Sequence, residues 1–406
     1  MNHTTSAADA ATQPTPANIR VGSLPELLAI VPRLLGFLPA ASLVVIGTAP
    51  PRDRIKVTLR YDLPDPPEAD LAADICAHAA SVIAAQGLTA GVAVGYGPDG
   101  LVSPLVAVLG DAFRQAGAEL REFLRVQDGR YWSYLCDDER CCPAAGVPFD
   151  PAAHPVSAAL VGDGAPVLAD RAAMAARIAP LRGKTEQSMR QATRRAERHV
   201  AQLLGKVRKS ARIGAARHMI AAEGLAAVGR MVAAYRGSDV TATDYEIAWL
   251  TVALKDLRVR DDAWARMDPG HREAHRLLWT DVVRRAQPGH VAAPASLLAF
   301  VAWQCGDGAL ANVALDRALA DDPAYSMALL LRQVISAGAP PSLARLPMTP
   351  EEVAASYADL DEVIDNSDDE AEADYEDEDH EGEDEDYSHL PNPCEARYEP
   401  DPGDEL

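Results

Sequence analysis

Two short runs, "SLVVIGT" (Ser42–Thr48) and "GVAVGYG" (Gly91–Gly97), restrict the fold of this chain more than any other feature. Each is apolar at consecutive positions, rich in β-branched residues or glycine, and free of polar alternation. A strand of that kind has both faces covered, so it belongs in the middle of a sheet that carries helices. "RIKVTLRYD" lies between them and alternates. Ile55, Val57, Leu59 and Tyr61 face one way; Lys56, Thr58 and Arg60 face the other. That pattern predicts a half-buried strand antiparallel to the first. Helical signals fill the gaps. Ser23 followed by Glu26 forms a capping-box pattern ahead of an apolar face of Leu24, Leu27, Leu28, Val31 and Leu35. Pro67 opens a second helix running to Gln86, and a third is expected around Pro104–Ala116. "LREFLRV" and "RYWSYL" flank Gln127-Asp128-Gly129, and an Asp-Gly turn between strand-like runs predicts a hairpin whose second arm spans Arg130–Leu135. Helices and strands interleave, so the first part of the chain reads as an α/β sandwich around a mixed sheet.

From about Ala169 strand signals fade and the period becomes helical. Met189, Ala192, Ala196, Val200, Leu203 and Val207 form one stripe, and Arg190, Arg194 and Arg198 form a second, offset from it. Residues 182–217 hold 11 bases against two acids, which predicts a basic amphipathic helix. "ASLLAFVAWQCGDGALANVALDRALADDPAY" reads as helix, Gly-Asp-Gly turn, helix and Asp-Pro stop, and resembles a tetratricopeptide unit over 292–325. Leu298 and Ala299 supply its large and small positions, and Ala311 and Ala318 permit close packing. The domain expectation is therefore a leader over 1–18, an α/β domain over 19–165, a helical domain over 166–345 and an acidic tail over 350–406. From Asp359 onward 23 acids face a single base, Arg397, and acids and bases cancel in the rest of the chain. The net charge of −22 thus belongs to the tail, whose composition predicts disorder. The start lacks the basic and apolar regions of a signal peptide, and Leu27–Ala49, though apolar, contains Pro32, Arg33 and Pro39. Both observations favour a cytoplasmic protein without a membrane span, whose thiols stay reduced.

Together, "LLAIVPRLLGFLPAASLVVIG", "RYDLP", "RYWSYLCDDERCCPAAG" and "APASLLAFVAW…GDGALANVALDRALADDP" resemble an actinobacterial family catalogued as a domain of unknown function, DUF4192. The resemblance covers about residues 19–340. It implies an intracellular protein and carries over no catalytic residue.

Several constellations merit weighing as sites. Cys136, Cys141 and Cys142 form C-x4-C-C, with His154 twelve residues on. Three thiolates and an imidazole suit tetrahedral zinc. Against that reading, the spacing is not the C-x2-C knuckle and adjacent cysteines tend to point apart. The alternatives are a redox pair and small thiols packing in a loop, and the expectation is reduced, metal-free cysteines with no cofactor. Gly95, Gly97 and Gly100 have the spacing of a dinucleotide loop, but Pro98 interrupts it, so a tight turn is the better reading. His271 and His275 stand four apart without a third ligand, which reads as a solvated first helical turn. Asp62, at a strand end, and Trp132 and Tyr134, in the hairpin, are candidate ligand contacts. Arg190, Arg194 and Arg198 are candidate contacts for nucleic acid, for an acidic membrane surface or for the chain's own tail, against a merely solvated face; with no aromatics interleaved, base stacking is not expected. The resulting expectation is a non-catalytic interaction or regulatory module with a protein partner on its helical domain. The alternative is an enzyme or a binder of a nucleotide or metal at the sheet edge.

Overall fold

The computed structural model describes residues 23–49, 54–155, 167–205, 210–237, 242–343 and 348–357. Six strands form one mixed sheet: β1 (Ser42–Ala49), β2 (Arg54–Asp62), β3 (Ala90–Tyr96), β4 (Glu119–Gln127), β5 (Arg130–Ser133) and β6 (Val147–Pro148). Their order is β2-β1-β3-β4-β5-β6. Only β3 and β4 are parallel, and their crossover runs through α3 (Asp99–Val102) and α4 (Pro104–Gln115). The two apolar runs found in the sequence are β1 and β3, adjacent in the interior of the sheet.

Alternation along these strands sorts the core into two layers. Leu43, Val45, Ala93 and Phe123 face Cys76, Ala79 and Ile83 of α2 (Ala69–Ala85) and Leu105, Leu109 and Phe113 of α4. Val44, Ile46, Val94 and Leu124 face the other way, onto Leu28 and Val31 of α1 (Leu24–Leu35) and on into the helical part. The edge strand β2 departs from the alternation expected of it. Thr48 pairs with Ile55 while Gly47 pairs with Val57, so Lys56 is an extra residue in a bulge. Val57, Leu59 and Tyr61 therefore pack on the α2 layer, and Ile55 on the opposite one.

The helical part comprises α5 (Arg171–Arg177), α6 (Lys184–Gly205), α7 (Ser210–Arg236), α8 (Asp244–Ala253), α9 (Leu257–Ala265), α10 (Arg272–Arg285), α11 (Ala292–Gln304), α12 (Gly308–Asp321), α13 (Ser326–Ser336) and α14 (350–357). All thirteen residues of α11 are buried, which makes it the central post of this half. The Asp321 carboxylate accepts from the backbone N–H groups of Gly289, Val291 and Ala292 and so covers the N-terminus of α11. The hairpin α11–α12 and the helix after it occupy the positions expected from the sequence, with Ala311 and Ala318 fully buried. Among the described residues α11 therefore presents no open inner face of the kind an array uses. Arg317 donates to the carbonyls of Ile178 and Val283, tying the ends of α5 and α10 together. Burial pushes its guanidinium down to about 10.

One compact unit extends to Tyr357, and the core layer beneath α1 continues without a break into α6–α13. The boundary expected near residue 165 falls in 156–166, outside the described residues, as do the leader 1–18 and most of the acidic tail expected over 350–406; the first residues of that tail instead form α14, where Val353 is buried. Among the described residues no helix is long and apolar enough to cross a membrane.

Candidate functional site

The end of the sheet where β3 and β4 terminate gathers the densest polar chemistry. The hairpin turn sets it up. Asp128 and Gly129 both have positive φ, 48° and 70°, as a two-residue turn twisted to match its strands requires. That turn pairs Gln127 with Arg130, Val126 with Tyr131 and Arg125 with Trp132. Arg125 consequently lies over the Trp132 ring, its guanidinium carbon 3.7 Å from a ring centroid. Its Nε stands 3.6 Å from Asp99, and Asp99 accepts a 2.7 Å hydrogen bond from the Tyr134 hydroxyl. Burial, reinforced by the bond to Asp99, raises the Tyr134 phenol above its ordinary range. Trp132 and Tyr134, expected as site residues, are thus joined by Asp99 and Arg125, which the sequence reading missed. Counting back from the Asp128-Gly129 turn would have put Arg125 opposite Trp132.

The strand expected over Arg130–Leu135 stops at Ser133. The Ser133 hydroxyl accepts from the N–H groups of Leu135 and Cys136 and donates to Glu122, which turns the chain into a loop. The loop rejoins the sheet at Gly146, whose φ is +77° and whose Cα abuts the Trp132 indole; a Cβ there would lie 2.4 Å from the ring. Trp132 Nε1 donates to the Ala144 carbonyl, and Arg130 Nη1 to those of Ala145 and Gly146.

Within this loop the three thiols converge. Cys136 Sγ is 3.3 Å from Cys141 Sγ, and Cys141 Sγ is 3.4 Å from Cys142 Sγ. All three lie within 4.8 Å of one another, and His154 is not among the group. The expectation that adjacent cysteines diverge does not hold here. The N–H groups of Cys141 and Cys142 both donate to the Asp138 carbonyl, and this tight turn aims both side chains at Cys136. A backbone hydrogen bond from Asp138, then the neighbouring thiols, lowers the Cys136 thiol. Its bond to Cys136 raises Cys141, and desolvation, then the other two thiols, pushes Cys142 up to about 12.

The remaining candidates are scattered. Asp62 lies at the end of edge strand β2 and pairs with Arg60 of its own strand at 2.6 Å. Gly95 and Gly97 have packing explanations. A Cβ on Gly95 would lie 2.2 Å from Val102, Gly97 has φ +145° under Leu101, and Gly100 falls inside α3 instead of in a loop. The expectation of a solvated "HREAH" turn fails at His275, which is 1% exposed; His271 is exposed and pairs with Asp268 at 2.9 Å. Arg190, Arg194 and Arg198 are exposed in a row on α6, while Met189, Thr193 and Ala196 are buried on its other side. Arg190 pairs with Glu186 at 3.2 Å, and Arg198 Nε donates to the Arg194 carbonyl. Among the described residues no carboxylate reaches the Arg194 or Arg198 guanidinium within 4 Å.

A family profile described as a domain of unknown function, DUF4192, matches residues 25–342, spanning the sheet, the thiol loop and the helical hairpin. The chain belongs to this family. No curated protein and no solved structure matches it. The DUF4192 match ends a few residues beyond α13, so α14 and the acidic segment lie outside it.

Proposed function

We propose that this DUF4192 protein is a non-catalytic interaction module whose contact for an acidic partner protein is the arginine row of α6. The observation that carries the reading is the placement of Arg190, Arg194 and Arg198 at four-residue spacing on an exposed helix edge, with a single intrahelical carboxylate, Glu186, engaged among them. Guanidinium groups in a row, of which only Arg190 is met by a carboxylate among the described residues, favour carboxylate-rich or phosphate-rich partners. A shallow hollow bordered by Gln191, Arg194, Glu197, Arg198 and Ala201 gives such a partner a seat. No aromatic residue interleaves the row, which favours an acidic protein over single-stranded nucleic acid.

The test is binding of fluorescent polyglutamate, with duplex DNA in parallel, to the chain ended after Tyr357, which removes acids that would repel an anionic probe. Polyglutamate should bind, weaken as salt rises, and be lost in the triple variant Arg190→Gln, Arg194→Gln, Arg198→Gln. Equal binding by the triple variant, or binding of duplex alone, would overturn the reading. A second reading, a ligand site at the sheet end, is favoured by the convergence of the three cysteines.

A further inference from the structure

We infer that Cys136, Cys141 and Cys142 form a three-thiolate site for a thiophilic divalent cation of the zinc class, with its fourth coordination position open to an exogenous ligand. The inference is independent of α6 and rests on geometry. A tetrahedral zinc site, with Zn–S near 2.3 Å, sets its sulfurs about 3.8 Å apart. The sulfurs here stand 3.3 and 3.4 Å apart, so small rotations of the exposed Cys141 and the half-buried Cys136 and Cys142 open the required space. The loop is braced at both ends, by Ser133 and Glu122 at its start and by Trp132 and Arg130 at its finish. Much of the ordering cost of assembling three ligands is therefore already met in the fold. The Asp138 N–H aimed at Cys136 supplies the kind of outer-sphere bond that stabilises a bound thiolate.

Local charge selects the ion. Three thiolates around a divalent cation leave one negative charge, and around a monovalent cation two. The loop already carries Asp137, Asp138 and Glu139 against Arg140, which is itself engaged with Asp138 at 2.9 Å. The smaller residual charge suits this acidic setting, so a divalent ion is preferred to copper(I). Three thiols binding one divalent ion release up to three protons to solvent. Because those protons must leave for the metal to bind, affinity should climb with pH.

The experiment uses the full chain, reduced and held under argon, titrated with cobalt(II) and then zinc(II). One equivalent of cobalt should produce thiolate-to-metal charge-transfer absorption, and zinc should abolish it. Cys136→Ser, Cys141→Ser and Cys142→Ser should each remove most of the band. Cys305→Ser, outside the cluster, should leave it intact. Circular dichroism of each variant separates loss of metal from loss of fold. Should a variant misfold, mass mapping of the wild-type chain decides instead: zinc should protect these three thiols, and not Cys305, from iodoacetamide. Absence of the band at one equivalent, its persistence in the Cys136→Ser/Cys142→Ser double variant, or alkylation unaffected by zinc would overturn the inference.

Discussion

His275 shows how a single side chain can govern the response of the chain to acid. It sits on α10 with neither ring nitrogen in a well-formed hydrogen bond. Desolvation, then the Arg236 charge, pushes it from the ordinary 6.5 down to about 4; Asp268 and the Arg266 carbonyl oppose the shift and His271 adds to it. In the folded state the ring is neutral at pH 7, and the unfolded chain takes up the proton more readily. Its contribution to stability is therefore complete above pH 6.5 and falls away as pH drops toward 4. Urea midpoints measured at pH 7 and pH 5 should differ clearly in the wild type, and the difference should shrink in His275→Leu. An unchanged difference would assign the acid sensitivity to other groups. The sequence could not mark this histidine as buried. "HREAH" is polar at four of five positions, and its burial comes from the way α10 packs among its neighbours, which local pattern does not record. The thiols illustrate the same limit from the other side. Their spacing was visible, but the Asp138 turn that aims them together was not.

At the scale of elements, the hairpin α11–α12 was the most legible part of the helical half, because its small residues recur where two helices must approach. Ala318 is 0% exposed on α12 and has no room to grow. Ala318→Leu should overpack the contact and lower stability by about 1–3 kcal/mol, measured as a shift in the urea midpoint at constant slope. An unmoved midpoint would mean that α11 and α12 can separate freely. The strands were legible for a similar reason: continuous apolar runs became β1 and β3, and the Asp-Gly pair became the turn of the β4–β5 hairpin. Two details were hidden. The bulge at Lys56 reverses Ile55, and the Ser133 hydroxyl ends β5 two residues before the expected Leu135. Both depend on hydrogen bonds between segments distant in sequence or on a side chain competing with the ladder, and hydrophobic period carries neither.

Across the whole molecule, the sheet and the helices are not separable bodies. Val44, Ile46, Val94 and Leu124 cover one face of the sheet and belong to the same core as Met174, Met189 and Trp279. Leu168 exchanges backbone hydrogen bonds with Gly36 and Leu38, and Arg171 bridges to Asp316 of α12. At the far end, Gly338 after α13 returns to pack against Val82 of α2, where Gln86 donates to the Ala337 carbonyl. Unfolding should accordingly be one cooperative event, with aromatic and far-ultraviolet circular dichroism reporting the same midpoint. Two resolved transitions would show that the sheet stands without its helices. The sequence displayed the change from strand to helix near Ala169, but not that the apolar residues on either side of that change complete a single core.

The two-residue strand β6 also bears on how copies of this protein behave toward one another. Phe149 donates inward to the Gly129 carbonyl, so the nitrogen of Pro148, one residue earlier, faces away from the sheet and carries no hydrogen. A stray strand arriving at that margin finds almost no ladder to extend and no donor at its centre. Fibrillar growth by edge-to-edge templating is thus interrupted at the edge next to the thiol loop, leaving that loop open to solution without recruiting a second sheet.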